Sequence, residues 1–151
     1  NDRVKFLALL CEEEDEETAL ACSGALAILT SNSAKCCEKM IAPSSWLEIL
    51  HTLIANPSPD VQFRGIVIIH NMIRQSKTVA EKIFDTDVLQ LLMGVTQLND
   101  EKRSKAIEEA KLCLKTAEDM KLIQEKKDDA NDMMPDVFQQ PQNEDLEEEN
   151  E

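Results

Sequence analysis

Apolar positions along this chain recur with the period of helices that bury one face. Val4, Phe6, Leu7 and Leu10 form one such stripe, which returns at Leu47, Ile49, Leu50 and Leu53, and again at Leu89, Leu91, Leu92 and Val95. The segment CEKMI from Cys37 likewise returns as AEKIF from Ala80. A small residue recurs in the longer helical segments at Gly24, Gly65 and Ala106, in steps of 41. Self-similarity at this period belongs to stacked helical repeats. Each unit reads as a short helix, a middle helix and a long helix, with the small residue letting neighbouring helices approach closely.

Start and stop signals fit that scheme. Ser58-Pro59 pairs an N-cap serine with proline at the first helical position, where the missing N–H costs nothing. Ser45 with Glu48, and Thr78 with Glu81, have the spacing of capping boxes. Asn56-Pro57 ends the helix before it, and Asn99-Asp100 takes the corresponding place one repeat later. The run Gly65-Ile66-Val67-Ile68-Ile69 has strand-like composition, yet its counterparts, ALACSGALAIL from Ala19 and KAIEEAKLCLKTAED from Lys105, are helical in pattern. A helix that is apolar all round is packed on both sides, as the middle of a stack demands. Trp46 opens its middle helix and is expected to pack on the neighbouring repeat.

These elements predict an all-α fold: a fragment of an armadillo-like right-handed α-solenoid, about three repeats long with a C-terminal capping repeat and an acidic tail. Residues 1–124 form the repeats and 125–151 the tail. The third long helix carries Lys102, Arg103, Lys105, Glu108, Glu109 and Lys111 on an outer polar face, as a terminal repeat needs for solubility, so the repeats are expected to end near Ile123. At the other end, residues 1–11 supply a middle helix without its short helix, and an apolar face is expected there.

Composition agrees with helices. There are three Gly, five Pro, one Trp, four Phe and no Tyr, too few turn-formers and aromatics for a sandwich or barrel. The formal net charge of −14 is uneven: residues 125–151 hold eleven of the thirty acidic residues and two of the sixteen basic ones, so they carry −9. The repeats are only mildly acidic, and they lack the clustered Lys and Arg that phosphate binding requires. Within the tail, Met133-Met134-Pro135-Asp136-Val137-Phe138 is an apolar island that would dock on the repeats, act as a short linear motif or stay disordered.

Little of the chain proposes chemistry. Cys11, Cys22, Cys36, Cys37 and Cys113 are odd in number and show no Cys-x-x-Cys spacing, so they read as free thiols in a reducing compartment and not as a zinc site. His51 and His70 have no acidic residue three or four positions on, and read as ordinary helix histidines. No glycine-rich phosphate loop occurs. The acidic run from Glu12 to Glu17 precedes the first long helix, where carboxylates gain from the helix dipole; a docking patch for a basic partner is its other reading. With no apolar stretch long enough to span a membrane, no membrane role is expected, and a cytoplasmic location and no cofactor follow. The chain reads as a binding protein and not an enzyme.

The helix triplets resemble armadillo repeats, whose third helix lines a groove and often presents an asparagine. FRGIVIIHN (residues 63–71) resembles that helix, with Asn71 at the groove position and Val67 and Arg64 one and two turns before it. Stepping back by 41 adds Thr30, Leu26 and Ser23, and stepping on puts Leu112 opposite Asn71, so an asparagine ladder is not kept. The segments NDRVKFLALL (1–10), GALAILTS (24–31), WLEILHTLIANPSPDVQFRGIVIIHNMI (46–73) and MPDVF (134–138) resemble the C-terminal end of animal, particularly arthropod, members of the UCS family of myosin chaperones. That resemblance implies a cytosolic co-chaperone that holds the myosin motor domain while it folds or recovers from stress. Its relatives recruit a heat-shock chaperone through a tetratricopeptide domain not found among these residues. The groove residues implied are Ser23, Leu26, Thr30, Arg64, Val67 and Asn71. A general armadillo scaffold or transport adaptor is the alternative function.

Overall fold

The computed structural model describes residues 3–12 and 15–132, with side chains through residue 121. Its helices are α1 (Arg3–Leu10), α2 (Glu16–Asn32), α3 (Ala34–Met40), α4 (Trp46–Ile54), α5 (Pro59–Gln75), α6 (Lys77–Phe84), α7 (Val88–Thr96) and α8 (Ser104–Asp132), with a 3-10 turn at Glu101–Arg103 leading into α8. No strand occurs among the described residues. The chain divides into a unit spanning Asn1–Ala117, which holds the repeats, and a second spanning Glu118–Glu151. Helical structure in the second unit runs to Asp132, past the expected end of the repeats near Ile123; the Met133–Phe138 island lies outside the described residues.

The triplets are as expected: α3, α4 and α5 form one, α6, α7 and α8 the next, and α1 and α2 are the middle and long helices of the one before. Serine caps punctuate them. Ser33, Ser58 and Ser76 accept the backbone N–H of Cys36, Val61 and Val79 at 3.2, 3.4 and 3.3 Å. Each hydroxyl satisfies one of the donors that a helix start leaves orphaned. Two caps differ from the sequence reading. Ser76, not Thr78, caps α6, and Ser45 makes no side-chain cap bond to α4. Trp46 is half-buried.

The β-branched run is helical. Ile66, Ile68, Ile69, Met72 and Ile73 of α5 are fully buried, because α5 packs against α2 of the preceding unit as well as α4 and α6 of its own surroundings. Tertiary burial on several sides overrides β-propensity. Gly65 is required here: a Cβ at this position would lie 2.6 Å from the Leu53 Cβ, so only glycine lets α4 and α5 come this close.

The spacing of the long helices departs from a constant 41. Glu16 to Pro59 and Ala34 to Lys77 are both steps of 43. The buried stripe of α2 (Ala19, Cys22, Ser23, Leu26, Thr30) accordingly maps 43 residues on to Gln62, Gly65, Ile66, Ile69 and Ile73 of α5, all buried. From α5 to α8 the step is 41: Gly65, Ile69, Met72 and Ser76 map to Ala106, Ala110, Cys113 and Ala117, again all buried. Gly24 is therefore not the counterpart of Gly65. Its neighbour is the Arg64 guanidinium, which would stand 3.3 Å from an added Cβ.

All five cysteines are free, and all but the half-buried Cys36 are buried. Among the described residues no helix is long and apolar enough to cross a membrane.

Candidate partner-binding face

The 43-residue step relocates the outward side of the long helices. Asn71 corresponds to Ile28 in α2 and, by the 41-residue step, to Leu112 in α8; Val67 corresponds to Gly24, and Arg64 to Ala21. Ser23, Leu26 and Thr30, placed in the groove by counting back 41, are instead completely buried in the interior. They belong to the core stripe whose counterparts 43 residues on are Ile66, Ile69 and Ile73 of α5, so the correction follows from the step length.

Asn71 is also buried, at 1% exposure, and its polar atoms are occupied. Nδ2 donates to the Ala27 carbonyl at 3.0 Å and to the Thr30 hydroxyl at 3.1 Å, while Oδ1 accepts from the Arg74 guanidinium. An amide has two donors and one acceptor oxygen, so little remains for gripping a partner's backbone. Arg64 and Val67 are the two expected residues that stand half-exposed on the outer side.

Asn71 is one rung of a longer seam. Arg64 Nη1 donates to the Leu20 carbonyl at 2.5 Å, Asn71 to Ala27, and Gln75 Nε2 to the Ser31 carbonyl at 2.7 Å, each spanning 44 residues. Helix carbonyls keep a second lone pair after making the helical bond. Three α5 side chains, successive on one face, use those lone pairs along α2 and pin the two helices in one register. Gly24 opens the space over which Arg64 lies.

The next seam uses different chemistry. His70 Nδ1 meets Glu109 Oε2 at 2.8 Å, and Nε2 meets Thr116 Oγ1 at 2.8 Å, which ties α5 to α8. His51 Nε2 meets Asp87 Oδ1 at 2.7 Å, between α4 and the residue before α7. Both histidines thus have carboxylate partners, but 36 and 39 residues away, where no local spacing rule finds them. Arg103 adds a third link: Nη1 donates to Gln62 Oε1 at 2.8 Å and Nη2 to the Pro57 carbonyl at 2.8 Å.

With the seams satisfied internally, the outer side keeps exposed apolar side chains. Ile28 is 65% exposed and Leu112 52%, at counterpart positions on α2 and α8, with half-exposed Val67 and exposed Arg74 on α5 between them. Ile28 and Leu112 stand at the same position two repeats apart, with the buried Asn71 at that position between them, and large exposed aliphatic residues of this kind mark a partner-binding face. Sequence reading passed over Ile28 because it lies outside the buried stripe.

Three of the buried cysteines are held in the thiol form. Burial pushes the Cys11 and Cys113 thiols up to about 12 and the Cys37 thiol up to about 11. Cys37 donates into the α2–α5 seam, to the Thr30 carbonyl at 3.4 Å. The nucleophilic thiolate form is suppressed at all three. No group of three His, Cys, Asp or Glu among the described residues is placed to hold a metal.

Comparison with known proteins gives a consistent picture. Protein unc-45 homolog B of Danio rerio is 40% identical over 125 residues, covering 82% of this chain and 13% of the relative. The same protein of Mus musculus is 40% identical over 116 residues, covering 76% of this chain and 12% of the relative. Among solved structures, UNC-45 from Drosophila melanogaster superposes with a TM-score of 0.77 at 65% identity, covering 81% of this chain and 16% of that one. No family model matches the sequence. The chain thus spans roughly an eighth of the length of the relatives it matches.

Proposed function

Because the chain belongs to the UNC-45 family, we propose that it is part of a myosin-directed co-chaperone and contributes a binding face along α2, α5 and α8. The observation that carries this reading is the 65% identity with an UNC-45 structure over most of the chain. The exposed Ile28 and Leu112 at matched repeat positions support it. A partly folded motor domain presents apolar segments, and a face fixed by satisfied seams receives them without paying to reorganise. The role is binding and not catalysis, in the cytoplasm, with a heat-shock chaperone recruited through a domain outside these residues. Neither nucleic acid nor membrane is a partner: the repeats carry net negative charge, which repels phosphate.

The adaptor reading is weaker for a specific reason. Peptide capture by an asparagine ladder needs free amides, and Asn71 spends its amide in the α2–α5 seam. Light scattering separates the two functions. Full-length protein at stoichiometric amounts is expected to suppress heat aggregation of a myosin motor domain. A protein that binds the motor without changing its aggregation is an adaptor.

A further inference from the structure

A second concave feature lies away from the long-helix face. A cleft of about 470 Å³ lies between Glu12 and the start of α2 on one side and the residues linking α4 to α5 on the other; it is lined by Glu12, Glu16, Ala19, Thr52, Asn56, Pro57, Ser58, Pro59 and Val61. Its volume is in the range of ligand clefts, roughly 300–1,000 Å³. The lining sorts by chemistry: Ala19, Pro57, Pro59 and Val61 give apolar walls, Glu12 and Glu16 give carboxylates, and no Lys or Arg contributes.

The polar lining atoms are largely committed, in a way that leaves acceptors over. Ser58 donates its hydroxyl to Glu16 Oε2 at 2.6 Å, and Asn56 Oδ1 accepts the Ser58 N–H at 3.0 Å. Thr52 donates to the Glu48 carbonyl at 3.0 Å. Neither the Glu12 carboxylate nor the second Glu16 oxygen meets a cation among the described residues. Arg103 reaches the Asn56 and Pro57 carbonyls, but its guanidinium is held there, by Gln62 and by Asp100.

Field and shape then name the occupant. The N-termini of α2 and α5 each bring about half a positive charge. Against them stand the full charges of Glu12, Asp15, Glu16, Glu17 and Asp60, so the local sign is negative. A bare metal ion suits a tighter cage with more oxygen ligands. A long basic side chain suits both parts, because its methylene stem can lie on apolar walls while its charged head reaches the carboxylates. We propose that this cleft is a docking site for an arginine or lysine side chain of a partner polypeptide, with Glu12 and Glu16 receiving the charge and Ala19, Pro59 and Val61 the stem. The site is separate from the long-helix face and does not depend on the chaperone reading.

The test is a residue-resolved NMR titration of the full 151-residue chain with acetyl-Ala-Arg-Ala-Arg-Ala-amide, and with the same peptide carrying citrulline, which keeps the shape and removes the charge. The arginine peptide shifts the amides of Ala19, Thr52, Asn56 and Ser58, and the citrulline peptide leaves them unmoved. In E12Q/E16Q binding weakens at least tenfold. In T52R, where an internal cation occupies the cleft, it is abolished. Shifts confined to the acidic residues after Gln124, equal binding by the citrulline peptide, no shift at those four amides, or undiminished binding by either variant overturns the assignment.

Discussion

Asn71 of α5 donates to the Thr30 hydroxyl of α2 at 3.1 Å, and Thr30 in turn donates to the Leu26 carbonyl at 2.7 Å. Two residues that family likeness would place in a client groove are thereby the polar centre of a joint between repeats. A buried amide with every group paired fixes one arrangement and resists replacement, because removing it strands its partners. Asn71→Leu is therefore expected to lower stability by about 1–3 kcal/mol, read as a lower urea midpoint, while client binding by the native state persists. Unchanged stability would show that the seam contributes nothing.

Two glycines give opposite expectations. Gly65→Ala forces a Cβ to 2.6 Å from that of Leu53, and overpacking of this kind costs about 1–3 kcal/mol. Gly94 of α7 has open space where a Cβ would go. Gly94→Ala should be neutral or stabilise by up to about 1 kcal/mol, since alanine has less chain entropy to lose in a helix. Thermal melts of the two variants check both signs.

Gly24 and Gly65 show what is legible in the sequence and what is not. Triplet order, the Ser58 cap and the helical state of Ile66–Ile69 follow from periodicity and from comparison between repeats. The register between repeats does not. Gly24 and Gly65 look like one recurring feature, but Gly65 is small because Leu53 presses on it, and Gly24 because Arg64 lies across it. Counting from one to the other gives 41 where the helices are spaced by 43, which puts Ser23, Leu26 and Thr30 at groove positions although they lie in the core. Residue type records that space is short; it does not record what fills it. The partners of His51 and His70 were hidden for a related reason, since they come from the following repeat.

At the α5–α8 joint the His70 imidazole uses both nitrogens. His70→Ala removes the imidazole from Glu109 and Thr116 together, leaving Thr116 its bond to the Leu112 carbonyl. Hydrogen exchange in the Ser104–Ala117 part of α8 is expected to accelerate at least tenfold, with exchange in α2 much less affected. Uniform acceleration throughout would mean that the histidine supports the whole fold and not one joint.

Cysteine behaviour follows from burial. Cys36 should be the first thiol alkylated under native conditions, with Cys11, Cys37 and Cys113 reacting only as the chain opens; mass mapping of partial alkylation tests the order. The same shifts set an alkaline limit. Folded pKa values of about 12 for Cys11 and Cys113 and about 11 for Cys37 lie above the ordinary value of 9.0. Above that value the unfolded chain releases protons that the folded chain retains. Stability from this source is intact below pH 9 and is lost as pH rises from there through the folded values. Urea midpoints between pH 8 and 11 should fall. A flat profile would contradict the burial of these thiols.

The outer face of the long helices carries the functional reading, and Ile28 with Leu112 tests it most directly. Both side chains are largely exposed, so I28D/L112D should leave the circular dichroism spectrum and melting temperature close to wild type. The decisive measurement is the affinity of full-length protein carrying this pair for a myosin motor domain. At least tenfold weaker binding, with matching loss of protection from heat aggregation, is the predicted result. Wild-type affinity and wild-type protection in the folded variant would contradict the account.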